Sequence, residues 1–382
     1  MKIAVFGGSF DPIHKEHIQL AKEAIKSLRL DKLFVMPANM PPHKPGKILS
    51  ANEDRLEMCR LAFENVEKVE VSDYEIAKGG TSYTYLTCKH FKNEYKNAEI
   101  YWLVGTDMLR DFPTWKEPNS ILQDVTLAVC ARAETDGWLE NEQQAFFEKF
   151  KKKFAVISYN ATDVSSTKIR VLAGAGMRLT DFTDEKVAAY IEKKGLYAIP
   201  FAFQALSLEK AERQVHSVRV AEIAAKKASQ MKIPEKQAIT AALFHDCAKN
   251  LSIDSPYLQG FYLEDCWGDV PPSVLHQFTG AYVAEHVFKI DDEKVLNAIR
   301  FHTSGRENMS ELEKLIFLAD MIEPARSYEG VEKLRRLFWK NKDLDECLKE
   351  ALFQTLEFLK EKKQKIYPLT AAAYAYLARE EV

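Results

Sequence analysis

Short apolar runs recur through the first half of the chain, at Ile3–Phe6, Leu33–Met36, Val69–Val71, Ile100–Val104, Val125–Val129 and Phe154–Ile157. Stretches between them, such as His17–Leu28 and Glu53–Phe63, repeat their apolar positions at helical spacing. Buried strands alternating with helices predict a doubly wound α/β domain, a parallel sheet with helices on both faces. After about residue 206 the pattern changes. Leu208–Met231, Gln237–Ala248, Ser273–Phe288, Glu293–His302, Glu311–Ile322, Val331–Trp339, Leu344–Glu361 and Thr370–Arg379 all carry the helical period, and no strand alternation is visible. This predicts an all-α second domain. The switch near 200–206 divides the chain into 1–203 and 204–382.

Composition narrows the classes. The chain has 382 residues, 46% hydrophobic and 29% charged, which is a globular balance with room for two cores. Its 53 basic and 56 acidic residues leave a net charge of -3. No strong electrostatic case for nucleic acid follows. No apolar run is long enough to span a bilayer, so no membrane partner is expected. The opening MKIAVF reads as a strand rather than a leader. Six scattered cysteines without a CxxC pair argue against a disulfide framework, and a cytoplasmic location is expected.

Chemistry gathers at two places in the first half. The strand Ile3–Phe6 runs into GGSFDPIHKEH, residues 7–17. Gly7 and Gly8 are expected to let the backbone turn and approach a ligand. His14 and His17, three apart, share one face of the helix that follows, whose free N–H groups favour anions. VSSTKIR, 164–170, follows the last strand, with hydroxyls suited to capping and two cations at a helix start. Together they suggest a polyphosphate cradle.

These segments resemble the HxGH and SSTxIR-type signatures of the nucleotidylyltransferase superfamily. PANMPPHK (37–44), TSYTYLT (81–87) and GTDMLRDFPTWKE (105–117) narrow the resemblance to bacterial nicotinate-mononucleotide adenylyltransferases. That resemblance implies transfer of AMP from ATP to nicotinate mononucleotide, with Mg²⁺ accompanying the triphosphate. By motif, His14 and His17 contact the phosphates, and Ser166, Thr167 and the catalytic Arg170 hold them from the other side. Gly105 and Asp107 lie near the adenosine, and Thr84 and Trp115 orient the nicotinate ring, Trp115 by stacking. Gly7, Gly8, Ser9, Phe10 and Lys44 complete the implied contacts. One position departs: Glu16 stands where the pattern has glycine, and is expected to crowd the nucleotide unless it points away.

The helical half holds His216, the pair His245-Asp246, His276, His302 and Asp320 on apolar segments. Burying such groups unpaired is costly, and a shared metal resolves the cost. Nitrogen and oxygen donors without thiolate suit iron, manganese or magnesium. His286 fits no motif and is read as a surface residue. The set resembles HD-domain phosphohydrolases. HDCAKN, LHQFTGAYVAEH, IRFHTSGR and FLADMIEP resemble, more closely, small bacterial HD proteins that split diadenosine tetraphosphate into two ADP. The resemblance implies a two-metal centre, with iron expected, ligated by His216, His245, Asp246, His276, His302 and Asp320. Asp246 is the implied bridge, and Lys249 and Arg306 hold phosphate oxygens. A bifunctional nucleotide enzyme is therefore expected, with homo-oligomers left open. Two rivals stand beside it: other substrates at either site, or one half acting as a nucleotide sensor without turnover.

Overall fold

The computed structural model describes residues 1–42, 48–132, 136–160 and 162–379. The chain forms two compact units. One comprises Met1–Ile169 and Leu179–Leu196, the other Arg170–Arg178 and Tyr197–Val382.

The first unit is built on six parallel strands: β1 (Lys2–Gly8), β2 (Lys32–Pro37), β3 (Val69–Val71), β4 (Glu99–Gly105), β5 (Thr126–Arg132) and β6 (Ala155–Tyr159). Their order is β3-β2-β1-β4-β5-β6. Central strands buried on both faces explain the unbroken apolar runs: Ile3, Ala4 and Val5 of β1, and Leu103 and Val104 of β4, are all buried. The strand order reverses between β1 and β4, and ligands of such sheets bind beyond the carboxyl ends at that point. Gly7-Gly8 and Gly105 lie at those two ends.

The second unit is helical. Residues Ala238 to Phe244 of the Glu235–Phe244 helix are buried without a break, which places that helix at the centre of its unit. It packs against the long Ala211–Met231 helix and the helices Glu293–Arg300 and Glu311–Ile322. Alanines at 221, 224, 225, 241 and 242, all fully buried, allow close approach. Three expected helices end earlier or break. Glu235–Phe244 stops before the His245-Asp246 pair, and Glu293–Arg300 stops before His302. Pro272–Tyr282 gives way to a π-helical turn at Val283–Val287. Apolar periodicity continues through these ends because the turn residues stay buried, so the sequence pattern overran the hydrogen-bonded helix.

Candidate active sites

In the first unit the glycines act differently from expectation. Neither Gly7 nor Gly8 has a positive φ; Phe10 does, at 46°. A Cβ on Gly7 would lie 3.0 Å from the Trp102 indole, and one on Gly8 2.9 Å from the Phe10 ring. The glycines are required by packing. Phe10 is itself buried, edge-on to Phe6 and His17, with ring centroids 5.3 and 5.1 Å away. Arg55, which sequence reasoning missed, is fully buried and holds this loop. Its Nη1 donates to the Ser9 carbonyl at 2.7 Å and its Nε to the Ser50 carbonyl at 3.2 Å.

His14 caps the Lys15–Leu28 helix from an extended backbone. Its ring stacks on His17, with centroids 3.7 Å apart. Burial pulls His14 down to about 4, so it is neutral near pH 7. The His14 backbone N–H donates to His17 Nδ1 at 3.2 Å. That bond sets a neutral His17 tautomer with its proton on Nε2, a donor suited to a phosphate oxygen. Glu16 points away from this face in chemical terms: it is buried, and its Oε1 accepts from the Tyr159 hydroxyl at 2.8 Å.

The second motif docks on the first. Ser165 Oγ accepts from the Lys168 N–H at 3.2 Å as a helix cap. Ser166 Oγ donates to the Pro12 carbonyl at 2.8 Å, and Thr167 follows it in the first turn of the Ser166–Gly174 helix. Thr183 Oγ1 donates to the Ile13 carbonyl at 2.9 Å. The loop before His14 is thus pinned from two elements. Arg170 falls in the second unit, where Glu235 takes its guanidinium through Nε–Oε1 at 2.5 Å and Nη2–Oε2 at 3.0 Å.

At the end of β4, Gly105 lies against Asp107, whose exposed Oδ1 would be 2.7 Å from a Cβ at that position. Trp115 is a core residue packed on Phe112, yet it also lines a cavity of about 240 Å³ with Pro42, Tyr83, Thr84, Thr114 and Lys116. Lys116, unnoticed in the sequence, holds its Nζ 4.4 Å from the Tyr83 ring centroid. Lys44 lies outside the described residues.

In the second unit the six expected ligands meet. His216, His245 and Asp246 form one group of mutually close donor atoms, His245, His302 and Asp320 a second, and Asp246, His276 and His302 a third. Helix ends aim the imidazoles. His245 Nδ1 lies 2.7 Å from the Ala242 carbonyl, and His302 Nδ1 2.7 Å from that of Ile299. A carbonyl only accepts, so the proton sits on Nδ1 and the lone pair on Nε2. His216 turns Nδ1 to Glu323, a buried carboxylate 3.3 Å away, and Nε2 to Asp320 Oδ1 at 2.8 Å.

Asp246 faces two sides. Its Oδ2 is 3.4 Å from His245 Nε2, while its Oδ1 is 3.3 Å from His276 Nε2 and 3.4 Å from His302 Nε2. The buried Nε2 atoms of His216 and His245 face these carboxylates without a well-aligned hydrogen bond. Orphaned lone pairs beside two carboxylates are what a divalent ion would satisfy, so the donor set fits the group. Burial, helped by His302, pulls His276 down to about 2, and burial also lowers His302; both are in the neutral, ligating form. Burial pushes the Asp320 carboxyl up, but His216, His245 and Arg326 outweigh it and hold it well below the carboxylate range.

The expected phosphate residues part ways here. Lys249 Nζ reaches both Asp246 oxygens at 3.2 and 3.3 Å. Arg306 instead grips buried Glu313, Nε to Oε2 at 2.9 Å and Nη2 to Oε1 at 2.8 Å. His286 is exposed and stacks on Tyr282, apart from the cluster.

A parallel-sheet nucleotidyltransferase unit and a helical HD unit with a histidine–aspartate centre define the class. Family models agree: residues 5–172 match the cytidylyltransferase-like family and 213–325 the HD domain. A Mycoplasma genitalium protein described as a probable nicotinate-nucleotide adenylyltransferase/Ap4A hydrolase is 32% identical over 94% of this chain and 97% of its own. The chain belongs to that two-domain family. A Clostridium tetani protein, a probable nicotinate-nucleotide adenylyltransferase, is 39% identical over 51% of this chain and 98% of its own. A crystal structure of a predicted HD superfamily hydrolase involved in NAD metabolism from Clostridium acetobutylicum is 34% identical, covering 47% of this chain and 96% of its own, with a TM-score of 0.43.

Proposed function

We propose that the chain is a bifunctional nucleotide enzyme. Residues 1–203 transfer AMP from ATP to nicotinate mononucleotide, giving deamido-NAD and pyrophosphate. Residues 204–382 hydrolyse diadenosine tetraphosphate symmetrically to two ADP. The observation that carries the reading is the two-sided Asp246, set among four histidines whose ring nitrogens converge on it and on Asp320.

In the transferase, no covalent intermediate is needed. The mononucleotide phosphate attacks the α-phosphorus in line and pyrophosphate leaves, so the protein's task is placement and charge stabilisation. His17 donates from Nε2, and the neutral His14 supports its ring. The cavity beside Thr84, Trp115 and Lys116 suits a pyridine bearing a carboxylate, with Lys116 supplying the counter-charge. Mg²⁺ enters with ATP.

In the hydrolase, His216, His245, His302, His276, Asp246 and Asp320 would hold the divalent pair, with iron the proposed identity. When bound, such ions lower the pKa of a water and polarise the attacked phosphoryl group. The chain's own work is to fix each ring and turn its Nε2 toward the carboxylates. The sensor reading drew on Glu16 alone, and the Tyr159 contact removes that support. A cytoplasmic setting is part of the proposal; no described helix is long and apolar enough to cross a membrane.

The test is product analysis on the intact protein. ATP plus nicotinate mononucleotide should yield deamido-NAD, and diadenosine tetraphosphate should yield ADP alone. Appearance of AMP with ATP would mean asymmetric cleavage and overturn the second half of the reading.

A further inference from the structure

Two arginines outside the ligand set press on the carboxylates of the helical unit. Arg213 stands three residues before His216 on the same helix, so the two share a face. Its Nη1 is buried 2.9 Å from Asp246 Oδ2 but makes no well-aligned hydrogen bond. Arg326 follows the Glu311–Ile322 helix. Its Nη2 lies 2.5 Å from Asp320 Oδ1, and its Nε donates to the Asp320 carbonyl at 3.0 Å. With Lys249, three cations press on Asp246 and Asp320, while the buried Glu323 carboxylate stands beside His216.

Divalent ions held by these carboxylates would add charge and compete with the arginines for the same oxygens. Each guanidinium would then be open to another anion. A guanidinium matches two phosphate oxygens at once and keeps its charge at every working pH. The two forks approach through different carboxylates, an arrangement better suited to charge spread along successive phosphoryl groups than to one terminal phosphate. Arg306, fully engaged by Glu313, has no such freedom.

We propose that Arg213 and Arg326 are the anion grip of the helical unit and select a phosphoanhydride chain over a phosphomonoester. The assignment rests on the hydrolase reading above and adds the residues that would recognise its substrate class.

The test uses the full chain loaded with Mn²⁺. Its probe is the diadenosine tetraphosphate analogue with a methylene group at the central bridge, which cannot be split there, and inorganic phosphate is the comparator. Calorimetric titration should show Arg213→Met and Arg326→Met binding the analogue at least tenfold more weakly, with phosphate affinity changed less than threefold and metal content intact by mass spectrometry. Arg213→Lys keeps the charge without the fork. It should bind better than Arg213→Met but below wild type, and it serves if the methionine variant fails to fold. Unchanged analogue affinity with tighter metal binding would overturn the proposal, because the arginines would then only neutralise the carboxylates. If wild type binds the analogue through both arginines but does not hydrolyse diadenosine tetraphosphate, the hydrolase reading fails and the grip stands.

Discussion

Replacing Glu16 by glycine restores the family pattern, and sequence reasoning expects ATP to bind more tightly as a result. The structure argues for a different outcome. The Glu16 carboxylate is buried and accepts from Tyr159, joining the first turn of the Lys15–Leu28 helix to the end of β6. A hydrogen bond to a carboxylate is worth about 1.5–3 kcal/mol. Glycine in a helix costs up to about 1 kcal/mol, less at its first turn, and an acidic residue near the helix N-terminus contributes a further ~0.3–1 kcal/mol. Glu16→Gly should therefore lower stability by about 3 kcal/mol and leave ATP affinity within twofold of wild type. The assay is a double-mutant cycle with Tyr159→Phe, read by urea unfolding of the full chain alongside calorimetric ATP titration. A coupling of about 1.5 kcal/mol or more is expected between the two positions. Tenfold tighter ATP binding with no coupling would refute the reasoning and return Glu16 to the nucleotide.

Other consequences are open to measurement. His17→Ala should cut adenylyl transfer by roughly 10²–10³-fold, as loss of one transition-state donor does, and a near-normal rate would reject its role. Asp246→Ala should lose bound metal and diadenosine tetraphosphate hydrolysis while adenylyl transfer persists; full metal content would reject the centre. His14, ordinarily near 6.5, is pulled to about 4 by burial, so between those pH values the unfolded chain binds the proton and the folded chain does not. Stability should fall as pH drops through that window, by at most about 3 kcal/mol, and His14→Gln should flatten the dependence of the urea midpoint on pH. Lys116→Met should raise the KM for nicotinate mononucleotide several-fold with kcat less affected, and an unchanged KM would remove it from the pyridine cavity.

Much of this was legible in the sequence because buried strands and amphipathic helices write their periods directly. The run Ile3–Phe6 falls within β1, and Val69–Val71 is β3 as expected. The six histidine and aspartate positions stood out because such groups are rare on apolar segments. What stayed hidden depends on partners far away in the chain. Arg306 looked as available as Lys249, and only the fold shows Glu313 holding it. Arg55 and Lys116 carry no sign in the sequence, since nothing local says that one is fully buried or that the other edges a cavity. Glu16 read as an intruder because its partner, Tyr159, lies 143 residues on.

The tight seating of Gly7 and Gly8 against Trp102 and Phe10 separates two kinds of signature within one motif. The glycine pair is demanded by the interior, so a chain that lost its transferase activity but kept its fold would still have to carry it. The histidines that follow are tied into the same packing, His14 by burial and by capping its helix, His17 by its edge-on contact with Phe10. A glycine pair in a related sequence therefore attests to architecture, and only together with the imidazoles does it bear on the proposed transfer.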